Sequence, residues 1–249
     1  MENESRMSSN SQNTILRQVF AYAVHLFTAS GAVWALLTIL AIIQNQWKMA
    51  IFWMVLAIFV DSFDGMLARW ANVKEYATRV DGALLDNIVD YLNYVFVPAF
   101  ILIMADFLPT GYRIPVAALI LLTSAYQFTQ VDAKTDESQA YFFKGFPCYW
   151  NLAILYMLVL RLNPWVNLFL MLIFNILIFV PIKYVYPSRD TRLRKLTLSM
   201  SYLYGIFGIW ALIQYPHVQD WLIWVSFVYV AYYLGVSLWP VSSSKTAAG

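Results

Sequence analysis

The sequence has one cysteine, two histidines and few charged residues. Because Cys148 has no partner in the chain, an intramolecular disulfide is impossible, and no cluster of cysteine and histidine suggests zinc. Charged residues make up 12% of the 249 residues, against 61% hydrophobic residues, which excludes an ordinary soluble domain. A net charge of +2 gives no reason to expect nucleic-acid binding. We expect Cys148 to be a small buried residue.

Long apolar runs recur along almost the whole chain, and no polar stretch is long enough to form a separate soluble core. We therefore predict one integral membrane domain over residues 1–249, an all-α polytopic helix bundle. Residues 1–22 would form a cytoplasmic tail and juxtamembrane segment, 23–240 the bundle and 241–249 a flexible tail. Since a span needs about 20 apolar residues, the runs predict eight transmembrane helices, near 24–43, 50–68, 83–105, 115–132, 148–162, 164–186, 196–214 and 221–240.

Basic residues are distributed unevenly between the two sets of loops that eight spans would create. Of the 16 Lys and Arg residues, only Lys48, Arg113 and Arg161 fall on one side, and the others lie in the tails and the remaining loops. Cytoplasmic loops carry an excess of Lys and Arg. The distribution predicts that both termini, and the loop between the second and third spans, are cytoplasmic.

Four aspartates interrupt the apolar character of the second and third spans. Asp61 and Asp64 fall near the end of the second span, and Asp86 and Asp90 near the start of the third. Ionisable residues at membrane depth cost a few kcal/mol each and are functional candidates by default. Spacings of three and four residues put the members of each pair on one helix face, so two antiparallel helices can direct all four carboxylates to one point.

Four adjacent carboxylates would repel one another unless cations neutralise them. Oxygen ligands without His or Cys favour Mg²⁺ or Mn²⁺, and two such ions would form a clamp suited to phosphoryl transfer. Two alternatives stay open: a proton or ion relay, as in transporters, and structural ion pairs with Arg69 and Arg79. Small residues between the acids, Gly65, Ala68 and Gly82, favour either close approach of a nucleotide or close packing of helices.

The whole segment from Asp61 to Asp90 reads D-x2-D-G-x2-A-R-x12-G-x3-D-x3-D. It resembles the signature of the CDP-alcohol phosphotransferases, which transfer a phosphatidyl or related group from a CDP-linked donor to an alcohol and release CMP. The gap between Arg69 and Gly82 is longer than is usual in that family. In this, and in HLFTASG (25–31), KTDE (134–137) and FPCYWN (146–151), the chain is similar to the bacterial members that make phosphatidylcholine from CDP-diacylglycerol and choline.

The resemblance implies roles for the matching residues. Asp61, Asp64 and Asp86 would bind metal, in the form of two Mn²⁺ or Mg²⁺ ions. Asp90 would bind metal or act as the general base, and we favour the base. It further implies a homodimer in the bacterial inner membrane, with its active site at the cytoplasmic side. The CDP group would lie against Asp61, Asp64, Gly65, Ala68, Arg69 and Gly82.

The signature does not specify the acceptor alcohol. Choline is a permanent cation that aromatic faces bind, with support from carboxylates. Candidates around the loop between the fourth and fifth spans are Tyr126, Asp136, Glu137, Tyr149 and Trp150. Anchoring at the membrane interface is the alternative for each aromatic residue.

Other acceptors, namely serine, inositol or glycerol phosphate, remain open, as does a transporter that uses the same acids. A phosphorylated acceptor would need an anion pocket, for which the basic residues at 189–195 are candidates, although positive-inside bias explains them too. No role follows from the sequence for Asn87 or Tyr94.

Overall fold

The computed structural model describes residues 2–130, 134–137, 140–185 and 194–238, with side chains at 13–130, 145–182, 184 and 195–238. A six-residue π-helix (Tyr91–Phe96) joins the fourth helix to the fifth, and a 3₁₀ turn (Thr110–Tyr112) precedes the sixth. The α-helices are α1 (Glu2–Ile43), α2 (Trp47–Trp70), α3 (Val73–Tyr76), α4 (Gly82–Asp90), α5 (Val97–Met104), α6 (Arg113–Thr129), α7 (Trp150–Leu160), α8 (Pro164–Phe179), α9 (Arg194–Ile213) and α10 (Asp220–Leu238).

The long helices fall where the apolar runs predicted spans. Taking α4, the π-helix and α5 as one stretch, helical segments occupy all eight predicted positions. Among the described residues, five of these segments are long and apolar enough to cross a membrane. The other three, α6, α7 and α8, have 17, 11 and 16 residues. The all-α membrane bundle is confirmed, and the number of eight spans stays a prediction.

The first helix differs from its predicted extent. α1 begins at Glu2, so residues 2–22 continue the helix instead of forming a separate tail. A helix of 42 residues is about 63 Å long, roughly twice the thickness of a bilayer's hydrocarbon core. Much of α1 therefore extends beyond one span. The predicted tail at 241–249 lies outside the described residues.

The sixth predicted span, 164–186, was too long. α8 ends at Phe179, because Pro181 lacks an amide hydrogen and its ring blocks a continuing helix. Strand β3 (Lys183–Val185) follows and completes a small antiparallel sheet with β1 (Lys134–Glu137) and β2 (Ala140–Lys144). In this sheet Lys134 is opposite Phe143, and Phe142 is opposite Val185. Sequence reasoning missed the sheet because strands this short show no usable alternation.

The chain divides into two compact units. The first comprises Met1–Phe128 and Cys148–Phe169, and the second comprises Thr129–Pro147 and Leu170–Gly249. All four aspartates lie in the first unit. The prediction of a single membrane domain over 1–249 stays a prediction.

In the first unit, α1 and α2 form a helical hairpin. The turn between them passes through Asn45 in the left-handed conformation, at φ 56°. Trp34 stacks on Trp53 with ring centroids 5.6 Å apart, and Phe20 meets Trp70 edge to face at 5.0 Å. Aromatic pairs at both ends of the hairpin thus fix α2, which carries Asp61 and Asp64, against α1.

Further along the first unit, a buried hydrogen bond joins α7 to α6. Trp150 is completely buried, and its indole Nε1 donates a hydrogen bond to Ser124 Oγ at 2.8 Å. Cys148 is buried beside it, as expected. The tyrosine at the start of the π-helix, Tyr91, donates to the carbonyl oxygen of Leu121 on α6 at 2.9 Å. These bonds hold the π-helix and α7 to the same partner helix.

In the second unit, α9 and α10 are joined by paired hydroxyl groups. Thr197 Oγ1 and Tyr232 Oη are 2.9 Å apart, and Ser201 Oγ lies 2.8 Å from Tyr229 Oη. Tyr204 also stacks on Tyr229, with ring centroids 4.5 Å apart. Hydrogen bonds of this kind hold helices together inside a bilayer, where apolar burial alone gives little preference.

Candidate active site

The first helix turn of α4 places its two aspartates. Asp81 caps the helix, because its Oδ1 accepts hydrogen bonds from the amides of Ala83 at 3.1 Å and Leu84 at 3.0 Å. With the helix begun at Gly82, Asp86 and Asp90 fall four residues apart on one face. A capping aspartate is an effective signal for a helix start, and here it sets which face carries the acids.

Three of the four predicted aspartates come together. One carboxylate oxygen each from Asp61, Asp86 and Asp90 lies within 4.8 Å of the others, and all three residues are half-buried. Asp64 is buried, with 7% of its surface exposed, and is not part of this group of three. It lines the same cavity as Asp61 and Asp90. The prediction that Asp64 binds metal stays a prediction.

The group of three fits a divalent cation. Mg²⁺ binds oxygen at about 2.0–2.1 Å, so the oxygens on opposite sides of one ion are about 4 Å apart, close to the separation of these carboxylates. All the ligands are hard oxygen donors, which suits Mg²⁺ or Mn²⁺ and not zinc. Arg69 and Arg79, the arginines considered as ion-pair partners, form no salt bridge with the aspartates among the described side chains. A bound cation would offset the mutual repulsion of the three carboxylates.

Two glycines at the site are required for close helix packing. A Cβ atom at Gly82 would lie 2.8 Å from His25 Cε1, and one at Gly31 would collide with Val89 Cγ1. Since His25 and Gly31 are on α1, these contacts set the distance between α1 and α4. The imidazole of His25, which is 7% exposed, occupies the space over Gly82. Helix packing, the alternative considered for Gly82, has direct support here.

Gly65, Ala68 and Arg69 form the other part of the predicted CDP site. The Arg69 guanidinium nitrogen Nη1 lies 3.4 Å from the position that a Cβ at Gly65 would take. Arg69 is otherwise exposed, and Ala68 is half-buried. The arginine thus folds back along α2 toward the aspartates, and its hydrogen-bond donors are available to a phosphorylated ligand.

The long gap between Arg69 and Gly82 contains an additional helix. α3 forms one turn there, and it begins after Asn72, which has a left-handed φ of 48°. Tyr76 on α3 accepts a hydrogen bond from Arg17 Nη1 at 2.8 Å, and the Arg17 guanidinium lies 5.6 Å from the Tyr76 ring centroid. The added residues therefore fasten the α2–α4 connection to α1.

The structure describes the side chains of three of the five predicted choline-binding residues. Trp150 is completely buried and donates a hydrogen bond to Ser124 on α6, and its role in choline binding stays a prediction. Tyr126 is 53% exposed, and Tyr149 is half-buried within electrostatic range of Tyr94. The side chains of Asp136 and Glu137 lie outside the described residues, so their roles stay predictions.

Sequence reasoning missed six of the residues that line the cavity, two of which carry a hydroxyl group. Thr28 reaches it from α1, and Tyr94 reaches it from the π-helix. The available signal for Thr28 was a polar pair, His25 and Thr28, three residues apart in an apolar run. For Tyr94 the signal was its position four residues after Asp90, which continues the spacing of the aspartates.

A helical membrane bundle with convergent carboxylates is the architecture of a membrane-embedded phosphotransferase. Residues 19–182 match the CDP-alcohol phosphatidyltransferase family. The chain therefore belongs to that family, and it is a multi-pass membrane enzyme.

Characterised relatives resemble the chain over most of its length. A phosphatidylcholine synthase of Legionella pneumophila is 44% identical over 94% of this chain and 95% of its own length. A phosphatidylcholine synthase of Legionella bozemanae is 43% identical over 81% of this chain and 95% of its own length. One of Pseudomonas aeruginosa is 34% identical over 94% of this chain and 97% of its own length.

Proposed function

We propose that this chain condenses CDP-diacylglycerol with choline, giving phosphatidylcholine and CMP. The convergence of one carboxylate oxygen each from Asp61, Asp86 and Asp90 within 4.8 Å is the observation that supports metal-dependent phosphoryl transfer. Support for choline as the acceptor comes from the relatives, which carry the name phosphatidylcholine synthase and match nearly the full length of the chain.

In this proposal Asp61, Asp86 and Asp90 hold divalent cations, Mn²⁺ or Mg²⁺, with Asp64 as the fourth carboxylate of a two-ion site. The bound cations would supply stabilisation for charge on the diphosphate and on the departing CMP. The three carboxylates brought together at one point support this assignment.

Asp90 is the proposed general base. The hydroxyl oxygen of choline attacks the phosphorus that bears the diacylglycerol oxygen, the bond from that phosphorus to the CMP oxygen breaks, and the hydroxyl proton passes to Asp90. Asp90 lines the cavity and is half-buried, which allows it to meet a substrate hydroxyl.

The donor nucleotide is proposed to lie along α2 and the start of α4. Arg69 would bind the diphosphate with its planar set of donors, and Gly65 and Ala68 would leave space for the nucleotide. Gly82 would contribute to the site through His25, which packs over it. The diacylglycerol chains would extend sideways into the bilayer.

For the acceptor, Tyr126, Tyr149 and Trp150 are the aromatic candidates, and Asp136 and Glu137 are the proposed carboxylates. The uneven distribution of Lys and Arg supports an orientation with both termini and the active site on the cytoplasmic face of a bacterial inner membrane. We also propose that the enzyme is a homodimer, as the family resemblance implies.

An acceptor competition tests the proposal. The purified protein is supplied with Mn²⁺, CDP-diacylglycerol and an equimolar mixture of choline, serine, inositol and glycerol phosphate, and the lipid products are separated. We expect phosphatidylcholine with a matching amount of CMP, and no product when a chelator removes the cations.

A different lipid product would assign another acceptor and contradict the choline proposal. Cation flux across proteoliposomes without release of CMP would contradict the enzyme assignment and favour a transporter.

A further inference from the structure

The helix that carries Asp86 and Asp90 changes its winding directly after Asp90. Residues Tyr91–Phe96 form a π-helix, and α5 resumes the ordinary winding at Val97. A π-helix accommodates an extra residue per turn, and such turns occur frequently at functional sites. The side chains of this turn therefore point in directions that a continuous α-helix would not give them.

Three polar side chains of this one turn reach three different helices. Tyr91 donates to the Leu121 carbonyl on α6. Asn93 Nδ2 donates to the Gly31 carbonyl on α1 at 3.0 Å. Tyr94 donates to Asp61 Oδ2 on α2 at 2.7 Å. Only the last of these bonds ends on one of the three convergent carboxylates.

The Tyr94 bond acts on one oxygen of the Asp61 carboxylate. Tyr94 is half-buried and lines the same cavity as Asp61 and Asp90. A hydroxyl that donates to Oδ2 restricts rotation of the carboxylate and leaves Oδ1 to face a cation. A side chain that hydrogen-bonds to a metal-binding carboxylate orients that carboxylate. Loss of such a hydrogen-bond partner lowers the affinity for the metal by about 10- to 100-fold.

We infer that Tyr94 is a positioning residue that orients Asp61 for cation binding. The inference rests on the proposed function, because it requires a divalent cation at Asp61, Asp86 and Asp90. Tyr94 acts through Asp61, and its hydroxyl is not assigned to a substrate.

Tyr91 provides a matched control. It lies in the same π-helix, its hydroxyl makes one hydrogen bond of similar length to a backbone carbonyl, and it does not line the cavity. Tyr91→Phe and Tyr94→Phe each remove one oxygen atom and one hydrogen bond. A purely structural effect of losing such a bond would appear in both variants.

The experiment measures Mn²⁺ binding to the full-length protein without substrates, from the electron paramagnetic resonance signal of free Mn²⁺. We expect Tyr94→Phe to raise the dissociation constant for Mn²⁺ by about 10- to 100-fold, and Tyr91→Phe to leave it unchanged. The midpoint of thermal unfolding, measured without Mn²⁺, checks that both variants are folded. In the Asp61→Asn background, Tyr94→Phe should add no further loss, because the two residues act as one unit.

Turnover gives a second measurement. Raising the Mn²⁺ concentration should restore the activity of Tyr94→Phe, while its KM for choline stays that of the wild type. An unchanged dissociation constant in Tyr94→Phe would overturn the inference, and so would a changed KM for choline with normal Mn²⁺ binding. Failure of the wild-type protein to bind Mn²⁺ would overturn the metal site of the proposed function and this inference with it.

Discussion

The helix pair α1–α4 of the first unit and the helices α9 and α10 of the second unit use glycine in opposite ways. In the first unit, a Cβ atom at Gly31 or Gly82 would collide with a side chain of a neighbouring helix. In the second unit, Gly205, Gly208 and Gly235 have no neighbouring atom within 4 Å of the position that a Cβ would take. Glycine is therefore required for the close approach of α1 and α4, and it has no such role on α9 and α10.

Polar residues follow the same division. In the first unit, polar and acidic side chains such as Thr28, Asp64 and Asp90 line a cavity. In the second unit, hydroxyl groups are paired with one another across α9 and α10, at Thr197–Tyr232 and Ser201–Tyr229. The first unit has polar side chains of both kinds, those that line the cavity and those that hold helices together, such as Trp150 and Ser124. The described hydroxyl pairs of α9 and α10 hold helices together.

The largest expected effect is on turnover, and it is tested by replacing one aspartate in each unit. Asp90→Asn should lower turnover by about 10²- to 10⁴-fold, the usual contribution of a general base, while the folded variant still binds CDP-diacylglycerol. Asp220→Asn is the control, because Asp220 is exposed at the first residue of α10 and should leave turnover unchanged. Steady-state rates of CMP release measure both. Normal turnover in Asp90→Asn would remove Asp90 from the mechanism.

The second prediction concerns the contact between Gly82 and His25. Gly82→Ala should destabilise the protein by about 1–3 kcal/mol, as overpacked cores do, and should lower turnover because α4 shifts. Replacing the buried ring in the double variant His25→Ala/Gly82→Ala should recover much of the lost stability. Thermal unfolding and CMP release measure the two effects.

A double variant that recovers its stability but does not recover CMP release would have a different meaning. It would indicate that Gly82 or His25 itself contacts the nucleotide, and that packing is not their whole role.

The smallest effect is expected for glycines of the second unit. Gly205→Ala, Gly208→Ala and Gly235→Ala meet no neighbouring atom, so each should change the free energy of unfolding by no more than about 1 kcal/mol and leave turnover unchanged. Gly31→Ala, in the first unit, is the contrasting variant and should destabilise the protein. A loss of activity in the second-unit variants equal to that in Gly31→Ala would remove the distinction between the units.

Much of the bundle and the acidic core of the site follow from local patterns in the sequence. Apolar runs located eight helical segments, and the spacing within each aspartate pair predicted that all four carboxylates converge. The structure brings three of them, Asp61, Asp86 and Asp90, together. The signature also identified the family, which the comparison over residues 19–182 confirms.

Contacts between distant residues were not predictable. Tyr94 is 33 residues from Asp61, and its direction depends on a π-helix that no residue type specifies. Trp150 looked like an interface aromatic, because its partner Ser124 is 26 residues away on another helix. The role of Gly82 required the position of His25 on α1. In each case the missing information was the packing of helices that are not neighbours in sequence.

The position of the site in the chain has a consequence for synthesis. Among the side chains that the structure describes, all those that line the cavity lie from Thr28 to Tyr94. Chains are made from the N-terminus, and their parts generally fold in that order. The carboxylates are therefore available to meet while α9 and α10 have still to be translated, and the ribosome adds the later helices to a protein whose ligand-bearing residues are already present.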